Sequence, residues 1–370
     1  MLILQVLFYL FFGVVLIQCI FYGYIFGKFV FANVQAQTKK NISISVIICA
    51  KNESENLSAF LPSVIDQNYP DFEIVLVNDG SHDDTLKVME HFKALHANIK
   101  IVDVKPIEAF WGNKKYALTL GIKAATNRFL LFTDADCKPI SNQWISEMSC
   151  HFSNDKGIVI GYGAYKTIKG SFLNKLVRFE TLMTAIQYFS YAKLGQPYMA
   201  VGRNLAYKKE LFFQARGFMN HMNVKSGDDD LFINQIANKK NAAICVSKNS
   251  FTESLPKQTF KSWIRQKRRH VSTANLYKLK HKAPLTLFYI SQLLFWLIGT
   301  LLICFLFNWK IVIALIGLRF IFQISILHLA IQKLNEKGLI FMTPFLELFL
   351  IVIQFYIFIK NLFSKSNHWE

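Results

Sequence analysis

Acidic side chains are scarce in this chain, 24 against 42 lysines and arginines, and the imbalance leaves a formal charge of +18 over 370 residues. Charge of either sign is missing from residues 1–27, and the first charged side chain is Lys28. A secretory leader has a basic start and a shorter apolar core, so this stretch is expected to be a retained anchor. There is no Gly-x-Gly-x-x-Gly and no Walker-type Gly-Lys-Ser, which argues against a dinucleotide-binding dehydrogenase or a P-loop enzyme. The six cysteines (19, 49, 137, 150, 245 and 304) show no close paired spacing. Neither a zinc site nor a disulfide framework is expected from them, and a reducing compartment fits. Internal repeats and low-complexity linkers are also absent.

What the chain has in excess is apolar residues, 52% of the total with 35 phenylalanines, a composition ordinary for a membrane protein with a basic cytoplasmic part. After the first apolar segment, further stretches near 285–307, 310–331 and 339–360 are each long enough to cross a hydrocarbon layer of about 30 Å. The polar region between, roughly 38–280, is large enough for one domain with a sizeable core. Lys39 and Lys40 follow the first span, Lys278, Lys280 and Lys282 precede the second, and Lys333 and Lys337 separate the third from the fourth. With four spans these sets share one side, against Lys310 and a short tail with Lys365 on the other, so the polar domain is expected to be cytoplasmic. Glu347 interrupts the fourth stretch, which could instead be a re-entrant or interfacial helix. Arg319 and His328 in the third are expensive in lipid and are expected to face the bundle or the domain.

Within the polar region, strands and helices alternate. Ile42 to Cys49 reads as a buried parallel strand, followed by a polar turn and then Leu57, Phe60, Leu61, Val64 and Ile65 at helical spacing. Phe72–Val77 reads as a second strand ending in Asn78-Asp79-Gly80-Ser81, and a helix carries Leu86, Met89, Phe92 and Leu95. Ile99–Val104 is a third strand, Trp111–Lys115 a loop, and Tyr116–Ala125 a helix. The run Phe129-Leu130-Leu131-Phe132 then ends in Thr133-Asp134-Ala135-Asp136, presenting two carboxylates at the C-terminal strand edge where open α/β sheets bind ligands. One aspartate can accept from a sugar hydroxyl while the other helps hold a hard divalent cation on phosphate oxygens. Asp79 alone reads equally well as a turn-forming residue; in series with Asn52, Glu53, Lys114 and the aspartate pair it reads as a ligand contact.

The order of these segments resembles the family 2 glycosyltransferases of GT-A fold, in particular their membrane-anchored branch. The resemblance runs from about 43 to 270. It is carried by Val46–Glu53, Gln67–Glu73, Val77–Ser81, Lys114–Leu118, Thr133–Asp136, Gly202–Tyr207 and Gly227-Asp228-Asp229-Asp230-Leu231. It implies a Rossmann-like, mostly parallel α/β sheet domain with one N-terminal and about three C-terminal transmembrane helices. Expected bounds are an anchor at 1–37, a transferase domain at 38–256, basic interfacial helices at 257–284, membrane helices at 285–361 and a tail at 362–370. For the donor, a nucleotide-sugar with UDP first among candidates, it implies Ala50, Asn52, Glu53, Asp79, Lys114 and Asp134, with Mg²⁺ or Mn²⁺ on Asp136. Gly202 and Asn204 would meet the acceptor, a lipid or lipid-linked glycan. Asp229 would be the general base of an inverting transfer and Asp228 the preceding acid, with an assignment open by one position because three aspartates adjoin.

From Lys257 to Lys282 the chain carries nine basic residues and no acid, with Phe260, Trp263 and Tyr277 interleaved. Beside a membrane span such a stretch is expected on an anionic surface rather than on nucleic acid. Its Gln266-Lys267-Arg268-Arg269-His270 is similar to the Gln-x-x-Arg-Trp motif of polymerising members, so Gln266 and Arg269 are expected at the donor diphosphate. His270 in place of tryptophan removes a stacking face and argues against a processive synthase. The expectation is a multi-pass enzyme of the cell (inner) membrane with a cytoplasmic catalytic domain. The alternatives are a polysaccharide synthase or a non-catalytic scaffold with a degenerate transferase domain.

Overall fold

Three apolar runs must be covered on both faces, and with a shorter, half-buried edge strand they form the parallel half of the sheet. The four are β1 (Ile44–Ala50), β2 (Phe72–Asn78), β3 (Ile99–Asp103) and β4 (Phe129–Asp134), in spatial order β3-β2-β1-β4. This computed structural model describes residues 1–33, 38–105, 114–224 and 226–363. The Trp111-Gly112-Asn113 part of the loop before Lys114, and Lys365 in the tail, lie outside the described residues. Ala50 pairs with Asn78 and Cys49 with Asp134, so the strands end level and their polar tips share one edge.

Side chains alternate across the sheet as strand geometry requires. Val46, Ile48, Ile74 and Leu76 pack with Leu57, Leu61 and Met89 of helices Ser54–Ile65 and Thr85–Leu95. Ile47, Val75 and Val77 face the other way, onto Ala117, Leu118 and Ile122 of helix Lys114–Ala124. That helix lies close to the sheet at Gly121, where a Cβ would stand 2.6 Å from a Val77 methyl. The second half of the domain is built from short strands: β5 (Cys137–Pro139), β6 (Ile158–Ile160), β7 (Gly163–Tyr165), β8 (Leu205–Lys208), β9 (Ala242–Ile244) and β10 (Thr252–Ser254). β8 runs antiparallel to β4 and extends the main sheet to β3-β2-β1-β4-β8-β6-β9, while β5-β10-β7 form a small second sheet. The long helix Phe172–Lys193, started by Ser171 accepting from the Asn174 amide, packs under both.

Four described helices are long and apolar enough to cross a membrane: Leu2–Val30, Leu279–Cys304, Trp309–Lys333 and Ile340–Phe363. Polar side chains from all four meet in one buried cluster. Arg319 donates to both carboxylate oxygens of Glu347, to Gln323 and to Gln18, the last at 3.1 Å. Gln292 and Tyr22 also reach Glu347, at 2.8 and 3.3 Å, and Gln18 reaches Ser291 at 2.6 Å. Arg319 therefore faces the bundle interior, as expected of an arginine at that depth. His328 does not: it is exposed and paired with Gln332 at 2.9 Å.

Breaking the buried pair strands a charge, which costs about 3–5 kcal/mol in soluble proteins. Arg319→Leu is expected to lower the thermal denaturation midpoint of the detergent-solubilised protein by several degrees. Adding Glu347→Leu should recover most of the loss, as read by fluorescence-detected melting.

Candidate active site

The first two strand tips are clasped to each other by loop hydrogen bonds. Asn52 turns the chain at φ 55°, its side-chain oxygen accepts from the His82 amide at 2.9 Å, and its own amide donates to Ser81 at 3.0 Å. Asn52 is exposed, and its role here is to hold two loops together. The Glu53 amide donates to Thr85 at 2.8 Å and the Asp79 amide to the Ala50 carbonyl at 2.9 Å. Burial pushes the Asp79 carboxyl up, with Lys51 and Lys114 offsetting part of the rise. Glu53 is likewise pushed up by burial; the charges of Asp136 and Asp134 add to the rise, and Asn56, donating to its carboxylate at 2.5 Å, offsets part of it.

At the tip of β4, Asp134 accepts from the Lys114 ammonium at 2.5 Å, and Asp228 lies 3.5 Å from the same nitrogen. Burial opposes ionisation of Asp134, but Lys114 outweighs it and holds the carboxyl below its ordinary range. Lys114 gains equally: burial disfavours its charge, and the carboxylates of Asp134 and Asp228 raise it well above the ordinary lysine value. Asp136 is pushed up by burial and by the neighbouring Asp134. Asp134, Asp136 and Cys137 present ligand atoms all within 4.8 Å of one another. Burial and the adjacent aspartates keep the Cys137 thiol protonated, which leaves an all-oxygen donor set of the kind that suits Mg²⁺ or Mn²⁺.

The three adjacent aspartates have separate partners. Asp228 turns to Lys114. Asp230 is buried and accepts from the Tyr277 hydroxyl at 2.6 Å and from the Thr273 hydroxyl, both at the end of the basic segment. Asp229 caps the short helix Asp230–Ile236; one carboxylate oxygen accepts from the Gly202 amide and the other from the Asp230 amide, each at 2.7 Å. Burial, then the charges of Asp228 and Asp230, push Asp229 up to about 8. Lys115, one residue past the cleft lysine, is buried and donates to the carbonyls of His221 and Val224 at 2.7 and 2.8 Å. It pins the loop that delivers the aspartates. Lys115, Thr273 and Tyr277 were missed from the sequence as site residues. The one available signal was Tyr277, an aromatic that a purely surface-bound basic segment does not require.

These elements line a small, partly open cavity whose walls include Cys49, Lys114, Asp134, Gly202, Asp228 and Asp229. The wall also contains the Thr133 hydroxyl, buried and without a hydrogen-bond partner among the described residues. Asp79, Glu53 and Asp136 do not line this cavity; the charge of Asp79 acts on Cys49, which does, and that of Asp134, also in its wall, acts on Glu53 and Asp136. Arg269 stands on helix Phe260–Ala274, and its charge helps keep Asp134 ionised; Gln266 is half-buried on the same helix and His270 is exposed. Asn204 departs from the acceptor-binding expectation. It is fully buried, accepts from the Trp144 indole at 3.0 Å, and donates to the carbonyls of Tyr162 and Ser250 at 2.9 and 2.7 Å. Its polar atoms are used in joining β5–β10–β7 to the main sheet, which leaves nothing to offer an acceptor. Asn204→Ala is expected to cost about 2–4 kcal/mol through the stranded polar partners, seen as a lower melting midpoint.

The pattern described as Glycosyl transferase family 2 matches residues 45–214, and that of Glycosyl transferase family group 2 matches 149–355. An uncharacterized glycosyltransferase of Haemophilus influenzae is 30% identical over 147 residues, 39% of this chain and 41% of that protein. The poly-beta-1,6-N-acetyl-D-glucosamine synthase of Staphylococcus epidermidis is 35% identical over 103 residues, 28% of this chain and 24% of that protein. The matched region thus spans less than half the length of these relatives. Among solved structures, a mannosyltransferase from Pyrobaculum calidifontis in complex with GDP-Man and Mn²⁺ superposes with a TM-score of 0.59 at 16% identity, covering 91% of this chain and 99% of that one. That likeness is one of fold.

Proposed function

The chain belongs to the family 2 glycosyltransferases, and from that premise we propose that it moves one sugar from a nucleoside-diphosphate sugar to an acceptor at the membrane surface, inverting the anomeric centre. The observation that carries this reading is the single cavity shared by Lys114, Asp134, Asp228 and Asp229, with a partnerless hydroxyl, Thr133, in its wall. A buried hydroxyl without a protein partner leaves a hydrogen bond for a water or a polar ligand to complete.

Asp229 is the base. Its two backbone amide donors fix the carboxylate plane, and its raised pKa makes it a stronger proton acceptor than an ordinary aspartate. It takes the proton from an acceptor hydroxyl as that oxygen bonds to the anomeric carbon; the bond from that carbon to the diphosphate breaks on the opposite face, and its electron pair leaves with the diphosphate. Asp134 meets the donor ribose or sugar, Asp79 and Glu53 the base and nucleoside with Ala50, and Arg269 with Gln266 the diphosphate. Gly202 adjoins the acceptor side of Asp229. Asp136, with Asp134 beside it, is the residue that would hold Mg²⁺ or Mn²⁺, which neutralises diphosphate charge when bound. The donor is read as a UDP-sugar and the acceptor as a lipid or lipid-linked glycan. The skew of lysine and arginine supports a cytoplasmic domain on the inner membrane. A processive synthase is the second reading, supported by the Staphylococcus relative and opposed by His270 at the tryptophan position.

Release of nucleoside diphosphate from UDP-, GDP- and dTDP-sugars by the solubilised protein tests the assignment. Asp229→Asn should lower kcat by about 10²–10⁴-fold while donor KM stays within about threefold. Because the base works ionised, wild-type kcat should climb with pH through about 8 and level off above it. A flat profile between pH 6 and 9 would count against Asp229. Asp136→Ala should abolish stimulation by added Mg²⁺ or Mn²⁺; equal stimulation in variant and wild type would remove Asp136 from the metal site.

A further inference from the structure

Length and composition make the helix Ile340–Phe363 indistinguishable from a span, but its contacts do not. Near its start, the Met342 sulfur accepts from Lys175 at 3.3 Å; further along, Phe349 meets Phe172 edge-on at 5.1 Å. At its far end, the Asn361 side chain accepts from the Arg268 guanidinium at 2.9 Å and donates to the Arg268 backbone carbonyl at 3.3 Å. Phe172 and Lys175 belong to helix Phe172–Lys193, Arg268 to helix Phe260–Ala274. Both are parts of the transferase domain: Lys267 and Glu180 form an ion pair between them, and Thr273 reaches Asp230.

The apolar helix is therefore fastened to one side at both ends. Had it crossed the bilayer, Met342 and Asn361 would stand about 28 Å apart along the membrane normal, at 1.5 Å per residue. The bond to a backbone carbonyl leaves no long side chain to bridge such a distance. The third span, by contrast, returns the chain to the domain side, where the Lys333 ammonium caps the carbonyls of Phe29 and Val30 at 3.0 and 3.2 Å. We propose that Ile340–Phe363 lies in the membrane plane on the domain side, so that three of the four described apolar helices cross and Phe363 stays on the side of the transferase domain.

The two faces of the helix fit that placement. Leu346, Glu347, Leu350 and Ile351 turn inward, with Glu347 engaged by Arg319 of the third span. Leu348, Val352, Phe355, Phe358 and Leu362 are exposed at 40, 59, 48, 53 and 65%. An aromatic-rich apolar face beside three spans fits the boundary between headgroups and acyl chains of the adjacent leaflet. Lys360 then joins the basic side, opposite Lys310. This topology stands apart from the sugar-transfer chemistry and can fail or hold without it.

The test uses the full-length chain with one epitope tag at the C-terminus and a second inserted at Gly170, an exposed domain turn. Both tags should be digested together by added protease in inverted membrane vesicles and survive together in spheroplasts. Digestion of the C-terminal tag alone in spheroplasts overturns the proposal. Spin labels on Leu348→Cys, Phe355→Cys and Leu362→Cys, with Cys19, Cys49 and Cys304 replaced by serine, supply an independent reading. One common shallow depth is expected; a depth gradient of about 20 Å from 348 to 362 overturns it.

Discussion

The Lys114 ammonium, placed between Asp134 and Asp228, is the contact on which the site depends. Asp134, Asp136, Asp228, Asp229 and Asp230 converge in a chain otherwise rich in positive charge. Like charges about 4 Å apart repel by roughly 4 kcal/mol at an effective dielectric of 20, so such a cluster stays together only if something divides it. Lys114 does so by satisfying one carboxylate from β4 and one from the loop before helix Asp230–Ile236, joining the parallel and antiparallel halves of the domain. The remaining acids settle by environment. Asp230 is sealed under hydroxyls, Asp136 is pushed up beside Asp134, and Asp229 rises to about 8 on its two amides.

Three consecutive identical residues thus do three jobs, and side-chain chemistry has no part in the difference. Backbone direction decides it: at the entry to a helix, successive side chains point to different quarters. Asp228 projects to Lys114 at the start of helix Lys114–Ala124, Asp229 folds back over the exposed amides, and Asp230 enters the core. Lys115 supports the arrangement from behind by holding the two carbonyls upstream. Adjacent lysines 114 and 115 divide in the same way, one into the cleft and one into the loop.

The parallel half of the domain could be read from residues because its strands are continuous apolar runs punctuated by polar tips, and β1 to β4 lie within two residues of the expected bounds. The Asp134–Asp136 pair and the Lys114 loop could be read for the same reason. The second half could not. β5, β7, β9 and β10 span three residues each, too short for a period-2 pattern to register, and their pairing rests on tertiary contacts such as those of Asn204. Asn204 itself shows why: a buried amide serving one indole and two carbonyls has the same letter as an amide waiting for a sugar. Hydropathy found all four long apolar helices but is blind to where their ends are tied.

Where those ends are tied determines how the site meets the membrane. Between the third and fourth apolar helices, Glu336 accepts from the Tyr162 hydroxyl and the Arg178 guanidinium, each at 2.8 Å, and Arg178 also reaches the Lys337 carbonyl at 2.9 Å. Burial pushes the Glu336 carboxyl up, and Arg178 offsets part of the rise. A buried ion pair adds little net stability but penalises every arrangement that separates its members. With Lys175 on Met342 and Arg268 on Asn361, it fixes the domain to the apolar helices at several points. Contacts of this kind hold the domain against the apolar helices rather than leaving it to reach for a distant acceptor. The proposed acceptor must instead approach along the bilayer surface, past helices whose packing also sets the position of Asp229.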